Sequence, residues 1–136
     1  MSGQPVPPVA LVTGGMRRVG GAIAAELARA GWALALHGRS DLNPAPELAD
    51  TLAECGTPWH GFAADLADPA APDALIAEVT RHFGRAPMLL VNNASLFGDD
   101  DWGTMTAASL HDHFAVNLFA PLLLTRAVVA AAGEGD

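Results

Sequence analysis

The sequence predicts an α/β fold built on a doubly wound parallel sheet, and three observations support this prediction. Short apolar runs alternate four times with longer segments whose apolar residues recur at helical spacing. A glycine-rich turn joins the first run to the first helical segment. Hydrophobic residues make up 51% and charged residues 16% of the 136 residues, as in a single packed domain, here residues 1–136. Repeated units of this kind imply right-handed crossovers with helices on both faces.

The first unit is a strand, a helix and a second strand within the first 40 residues. Residues 9–12 form a short, valine-rich apolar run, typical of a buried parallel strand. Val19, Ile23, Leu27 and Ala30 then recur at helical spacing, and Gly31 is placed to end that helix. The later elements follow in order: strand 32–37, helix 44–56, strand 59–64, helix 69–84, strand 88–92, and helix 106–132 with a kink or local break at Pro121.

The glycine-rich turn, residues 13–20, is the predicted phosphate site. A helix that begins there points free N–H groups and about half a positive charge at the turn. Ligands of such sheets bind at the carboxyl ends of the strands, and Gly14, Arg39, Asp65 and Asn93 all fall there. The glycines also have a plain alternative, because many connections between strands and helices use glycine for conformational reasons only.

The end of the second strand indicates which nucleotide is preferred. Arg39 and Ser40 suit the 2′-phosphate of NADP(H), whereas an acidic residue here would hold the free ribose of NAD. A solvated loop arginine is the alternative, and the neighbouring Asp41 argues mildly against a phosphate.

Four ordered landmarks resemble the short-chain dehydrogenase/reductase superfamily: Thr13-Gly14 with Gly20, Asp65-Leu66, residues 92–95 (Asn-Asn-Ala-Ser) and residues 115–118 (Ala-Val-Asn-Leu). The resemblance implies a Rossmann-type fold, of which this chain would hold about four strands and four helices of the usual seven-stranded fold. It also implies a nicotinamide cofactor, a small-molecule substrate, and dimers or tetramers. The predicted cofactor contacts are Gly14, Arg17, Arg18, Val19, Gly20, His37, Arg39, Ser40, Asp65, Leu66, Asn93, Ala94 and Ser95.

Two departures from the common pattern are similar to pteridine reductases and dihydromonapterin reductases. Arg18, preceded by Arg17, stands where the superfamily usually has glycine, and Ser95 ends a motif that usually ends in glycine. By this resemblance Arg18, Ser95 and Phe97 contact substrate, with Phe97 stacked on a pterin ring opposite the nicotinamide. The alternatives are solvated arginines, a turn serine and ordinary loop packing of the phenylalanine.

The superfamily performs its proton chemistry with a tyrosine and a lysine, and the sequence contains neither, since seven arginines account for all Lys and Arg. Asn117 resembles the supporting asparagine of that machinery, although an amide bonded only to backbone is an equal alternative. We expect an amino-terminal portion of a longer NADP(H)-dependent reductase, inactive by itself, acting on a pteridine or on a carbonyl or alcohol. The competing interpretation is a short, non-catalytic nucleotide-binding or interaction module.

Charge and composition bound the remaining possibilities. The net charge of −8 opposes general binding to nucleic acid or anionic membranes. Cys55 is the only cysteine, which is natural for a cytoplasmic protein. His111 and His113 lie two apart on a predicted helix and face different directions, so we expect no metal site. The acidic run 99–101 is expected to be solvated or part of a substrate loop anchored by Trp102.

Overall fold

In the computed structural model, residues 7–133 form a parallel sheet with helices on both faces. Residues 1–6 and 134–136, the two ends of the predicted domain, lie outside the described residues. The strands are β1 (Val9–Val12), β2 (Ala33–Gly38), β3 (Trp59–Ala63) and β4 (Leu89–Val91). The helices are α1 (Arg18–Arg29), α2 (Pro46–Cys55), α3 (Ala71–Phe83), α4 (Ala107–Phe114) and α5 (Ala120–Ala131), with a π-helical turn, Ala115–Phe119, between the last two.

The strand order is β3-β2-β1-β4, and every pairing is parallel. The chain moves outward from β1 through β2 to β3, and then returns to place β4 on the other side of β1. The order therefore reverses between β1 and β4. Crossovers leave opposite faces of the sheet at such a point, so a crevice opens at the carboxyl ends of these two strands.

The central strand β1 is buried on both faces, which explains its continuous apolar run. Val9 and Leu11 pack on one face with side chains of α3 and α5, while Ala10 and Val12 pack on the other with side chains of α1 and α2. All four are 0% exposed. Two apolar layers thus hold the sheet and position the loops at its carboxyl edge.

Helix α1 buries a different stripe from the one predicted. Its buried residues are small, namely Gly20, Gly21, Ala24, Ala25 and Ala28, while Val19 is 66% exposed. The helix packs so closely on its neighbours that only small side chains fit between them. Of the predicted stripe, Leu27 packs at the edge of this core, whereas Val19 and Ala30 are exposed. The predicted helix is therefore present, and its predicted apolar face was right only in part.

The predicted break at Pro121 is confirmed, and it lies in the turn before the proline. Pro121 has no N–H, so the carbonyl of Asn117 loses its usual α-helical donor. The chain adopts a π-helical turn, in which the Ala120 N–H donates to the carbonyl of Ala115, five residues earlier. Within the helical stretch Ala107–Ala131, an 18-residue window has a mean hydropathy of 1.8, so the stretch is long and apolar enough, by length and composition, to cross a membrane.

Helix boundaries follow local chemistry. α2 and α3 begin two residues later than predicted and end at Gly56 and Gly84, both with a left-handed backbone. α4 begins with a capping box in which Thr106 and Ser109 each accept a backbone N–H from the other. The fourth strand, predicted over residues 88–92, is shorter by one residue at each end.

Candidate functional site

A cleft of about 640 Å³ opens at the carboxyl edge of the sheet, between the glycine-rich turn and the loops after β2, β3 and β4. Of the predicted cofactor contacts, only Ser40 does not line it. Arg18 and Ser95, two of the predicted substrate contacts, line it too, whereas Phe97 does not and is 89% exposed. The cleft also has lining residues that sequence reasoning did not identify: Ala64, Ala67, Leu96, Asp112 and Val116.

Helix α1 opens into this cleft without a cap. Its N-cap residue Arg17 makes no side-chain hydrogen bond to the first turn, and that turn carries no acidic residue. The first N–H groups of the helix therefore have neither a side-chain acceptor nor a negative charge from the protein to satisfy them. This leaves a local positive potential suited to an anion such as a phosphate.

Arg18 adopts a backbone conformation that favours glycine. Its φ is +54°, and no other non-glycine residue in the described part of the chain has a positive φ. A side chain in this region costs about 1 to 2 kcal/mol. The position thus explains why glycine is usual here in the resembling proteins, and an arginine kept despite strain is typical of a functional residue.

The two key glycines of the turn have different reasons for being glycine. Gly14 has a φ of +59° and lies against Asn93 and Ala94 at the start of the β4–α4 loop, residues 92–106. A Cβ at Gly20 would overlap the carbonyl oxygen of Gly14 and lie 2.6 Å from Nδ2 of Asn93. Gly20 therefore allows the first turn of α1 to pack against the glycine-rich turn and Asn93.

Thr13 and Asn93 tie the ends of β1 and β4 together across the crevice. The Thr13 hydroxyl accepts the N–H groups of Asn93 at 3.0 Å and Ala94 at 2.9 Å. The Asn93 amide donates to the carbonyls of Thr13 and Gly14, both at 3.1 Å. These four hydrogen bonds fix the backbone at the floor of the cleft. The sequence indicates Thr13 only as part of a motif, although its place directly after β1 is a signal for such a role.

His37 is buried beneath the glycine-rich turn and connects it to the third strand. Its Nδ1 accepts the N–H of Gly14 at 3.0 Å, and its Nε2 lies 2.9 Å from the carbonyl oxygen of Ala64, to which it donates. Burial lowers the pKa of His37, and the contact with the Ala64 carbonyl offsets this only in part. The neutral imidazole therefore acts as a brace whose two nitrogens are both occupied by the protein.

The charged groups near the end of β2 form separate pairs. Arg17 Nη2 contacts Asp41 Oδ2 at 2.6 Å and the Asn43 carbonyl at 3.1 Å. The Asn43 N–H, with Arg17 second, lowers the pKa of the Asp41 carboxyl. Arg39 makes only a 3.9 Å contact with Asp65. The negative charge of Asp41, expected to oppose a phosphate at Arg39, is thus paired with Arg17, and Arg39 lines the cleft.

Asn117 bonds to backbone, as one of its two alternatives predicted. Its Oδ1 accepts the N–H of Leu96 at 2.7 Å, and its Nδ2 donates to the carbonyl of Leu96 at 2.8 Å. Its side chain holds the β4–α4 loop and does not line the cleft. Further along that loop, the Asp101 carboxylate accepts the N–H groups of Gly103 and Thr104, which lower its pKa. Part of the acidic run is therefore a tight turn.

A reversing parallel sheet, a glycine turn and an uncapped helix at one cleft define a dinucleotide-binding class of α/β protein. Residues 8–135 match the short chain dehydrogenase family, so the chain belongs to that family.

The similar proteins are reductases and dehydrogenases of several kinds. The chain is 33% identical to a hydroxynaphthalene reductase of Aspergillus fumigatus over 87% of this chain and 43% of that protein. It is 32% identical to the 3-oxoacyl-[acyl-carrier-protein] reductase FabG of Pseudomonas aeruginosa, over 89% and 48%. The chain thus spans about half the length of these curated relatives.

Solved structures give the same result. FolM alternative dihydrofolate reductase 1 of Brucella canis, complexed with NADP, superposes with a TM-score of 0.82 at 34% identity, covering 95% of this chain and 52% of that one. A metagenomic short-chain oxidoreductase in complex with NADP superposes with a TM-score of 0.80 at 34% identity, covering 91% and 55%. The Rossmann-type fold predicted from the sequence is confirmed.

Proposed function

We propose that this chain is the cofactor-binding part of an NADP(H)-dependent oxidoreductase. The observation that carries the proposal is the cleft itself, which is lined both by the uncapped start of α1 and by Arg39. The first suits a pyrophosphate and the second suits a 2′-phosphate, which is the arrangement that a dinucleotide phosphorylated on its ribose requires. NADP complexes among the similar structures support this reading.

The residues present fit the cofactor. Gly14 and the first turn of α1 would bind the pyrophosphate through backbone N–H groups, and Arg18 would add a charge beside them. Arg39 would bind the 2′-phosphate, while Asp41 is already compensated by Arg17. Ser40 lies outside the cleft lining, so we assign this phosphate to Arg39. Bound NADPH would supply the hydride.

The chain's own contribution to proton transfer is indirect. Asn117 holds the backbone at Leu96 in place, and Pro121 deprives the Asn117 carbonyl of its α-helical donor. We propose that this carbonyl orients a water, as in the resembling superfamily. Because the sequence contains no tyrosine and no lysine, we propose that the chain by itself binds cofactor without turnover.

We propose a pteridine as the substrate class. Arg18 and Ser95 line the cleft, and Phe97 follows two residues after Ser95 on the same loop. The strained backbone of Arg18 supports a ligand role for this side chain. The likeness to FolM alternative dihydrofolate reductase supports the same class, although 3-oxoacyl and L-xylulose reductases are also similar. A carbonyl substrate is therefore the second candidate.

We also propose that the exposed face of α4 and α5 is covered in the working protein. Phe114, Phe119, Leu122 and Val129 are each at least half exposed and follow one another along the helical stretch. Helices of this region commonly join subunits in the resembling superfamily, so we propose a dimer or tetramer in the cytoplasm, without a membrane or nucleic-acid partner. Sedimentation analysis of the protein from the complete reading frame tests this proposal, and a monomer would contradict it.

The function is tested by binding first and turnover second. We expect the chain to bind NADPH, measured by the change in nicotinamide fluorescence, and to show no NADPH oxidation. The protein encoded by the complete reading frame is then assayed with dihydropterin, quinonoid pterin and simple carbonyl substrates. Oxidation only with carbonyls would replace the pterin assignment, and NADPH binding without any turnover would favour a non-catalytic module.

A further inference from the structure

His113 contacts the β4–α4 loop in a way that its sequence position does not suggest. The Gly98 N–H donates to its Nε2 at 2.9 Å, and its Nδ1 lies 2.7 Å from the carbonyl oxygen of Ser109. Since an N–H of the loop donates to Nε2, that nitrogen must be unprotonated. The proton therefore sits on Nδ1 and is donated to the Ser109 carbonyl.

Gly98 is matched to this contact. A Cβ added at Gly98 would lie 2.8 Å from Cε1 and 3.1 Å from Nε2 of His113, closer than side-chain atoms normally approach. The imidazole edge therefore lies directly against the loop backbone, and glycine is the residue that permits the approach. The hydrogen bond to Nε2 and the absence of a side chain at Gly98 thus belong to one close contact.

A second residue of the same helical surface, Asn117, also holds the β4–α4 loop. Asn117 follows His113 by four residues, and residues at this spacing project from one side of a helix. Asn117 holds both backbone polar groups of Leu96, and His113 holds the N–H of Gly98. The two side chains therefore grip the loop on either side of Phe97, whose ring projects into solvent.

We propose that His113 is a positioning residue that, together with Asn117, sets the place of Phe97 beside the cleft. The neutral imidazole orients the loop through the backbone of Gly98 and touches neither cofactor nor substrate. The consequence for substrate binding rests on the proposed function, whereas the contact between His113 and Gly98 does not. His113 thus has a structural partner for each ring nitrogen and a defined task on the substrate side of the cleft.

Nitrogen-15 NMR of this chain at pH 8 tests the contact directly. We expect the Nδ1-protonated tautomer for His113 and, as an internal reference, the Nε2-protonated tautomer for the buried His37. We expect the Gly98 amide to exchange with solvent on the order of tenfold more slowly in the wild type than in His113→Phe, which keeps a ring but has no acceptor. His113→Gln retains an acceptor and should restore the protection.

Two outcomes overturn the proposal. One is the Nε2-protonated tautomer of His113 in the wild type, and this measurement does not depend on whether a variant folds. The other is equal Gly98 exchange in all three proteins. In the protein from the complete reading frame, His113→Phe should raise the KM for dihydropterin on the order of tenfold with an unchanged KM for NADPH. An unchanged dihydropterin KM overturns the positioning role, whereas failure of the wild type to bind NADPH refutes the proposed function and leaves the NMR result standing.

Discussion

Replacing Arg18 by glycine should raise stability and lower ligand affinity at the same time. Arg18 has a φ of +54° at the start of α1, where its Cβ is strained. Removing the side chain relieves about 1 to 2 kcal/mol of that strain. Glycine also increases the freedom of the unfolded chain, which costs about 0.5 to 1 kcal/mol. The net expectation is a gain of about 0.5 kcal/mol, or a rise of roughly 2 °C in Tm.

The affinity effect has the opposite sign because the guanidinium is lost from the cleft. A hydrogen bond between charged groups contributes about 1.5 to 3 kcal/mol, and the exposure of this site places the loss at the lower end. The Kd for NADPH should therefore rise roughly tenfold. Arg18→Ala is the matched control, since it removes the same charge but keeps a Cβ at positive φ.

Thermal unfolding and NADPH titration of the three proteins separate the two effects. We expect both variants to bind NADPH equally weakly, and only the glycine variant to melt above the wild type. If the alanine and glycine variants melt at the same temperature, the argument from strain is wrong. If both bind NADPH and, in the complete protein, dihydropterin as the wild type does, Arg18 has no ligand role.

Three further predictions concern the frame of the cleft. Gly20→Ala should destabilise the fold by about 2 kcal/mol, because the new Cβ overlaps the glycine-rich turn. In Gly21→Ala the new Cβ meets nothing closer than 3.6 Å, so this variant should be neutral or more stable by up to about 1 kcal/mol. Equal chemical-denaturation midpoints of the two variants would refute this expectation. Thr13→Val should cost about 1 to 3 kcal/mol in the same assay, because two partly buried N–H groups lose their acceptor. A loss below about 0.5 kcal/mol would contradict the network. The pKa of His37 is lowered in the fold, so below pH 6.5 the unfolded state binds a proton that the folded state does not. The free energy of unfolding should therefore decrease as the pH is lowered, by at most about 1.4 kcal/mol per pH unit. His37→Gln should flatten this dependence, and equal pH slopes in the variant and the wild type would refute the assignment.

Much of the fold was predictable because it depends on local pattern. The run at β1 is apolar on both faces because helices cover both sides of the sheet, and the glycines at positions 56 and 84 end α2 and α3 as expected. The apolar face of α1 was not predictable in the same way. Periodicity identifies large apolar side chains, but a close helix contact selects small ones such as Ala24 and Ala28.

Site residues that directly follow a strand were predictable from the sequence, whereas site residues on helices and other loops were not. Gly14, Arg39 and Asn93 follow strands, and the parallel topology brings them to one edge. Asp112 and Val116 line the cleft from α4 and the π-helical turn, which a long loop separates from the sheet. No residue spacing in the sequence predicts that these two side chains lie at the cleft. The pairing of Arg17 with Asp41 likewise depends on how two loops meet in space.

Titration calorimetry of the wild type and of Arg39→Asp compares the affinity of this chain for NADPH with its affinity for NADH. We expect the wild type to bind NADPH more tightly than NADH, and Arg39→Asp to lose affinity for NADPH on the order of tenfold with little change for NADH. Equal binding of both cofactors by the wild type, or an equal loss of both in the variant, would contradict the assignment of Arg39 to a 2′-phosphate. If neither cofactor binds, the cleft is not a dinucleotide site.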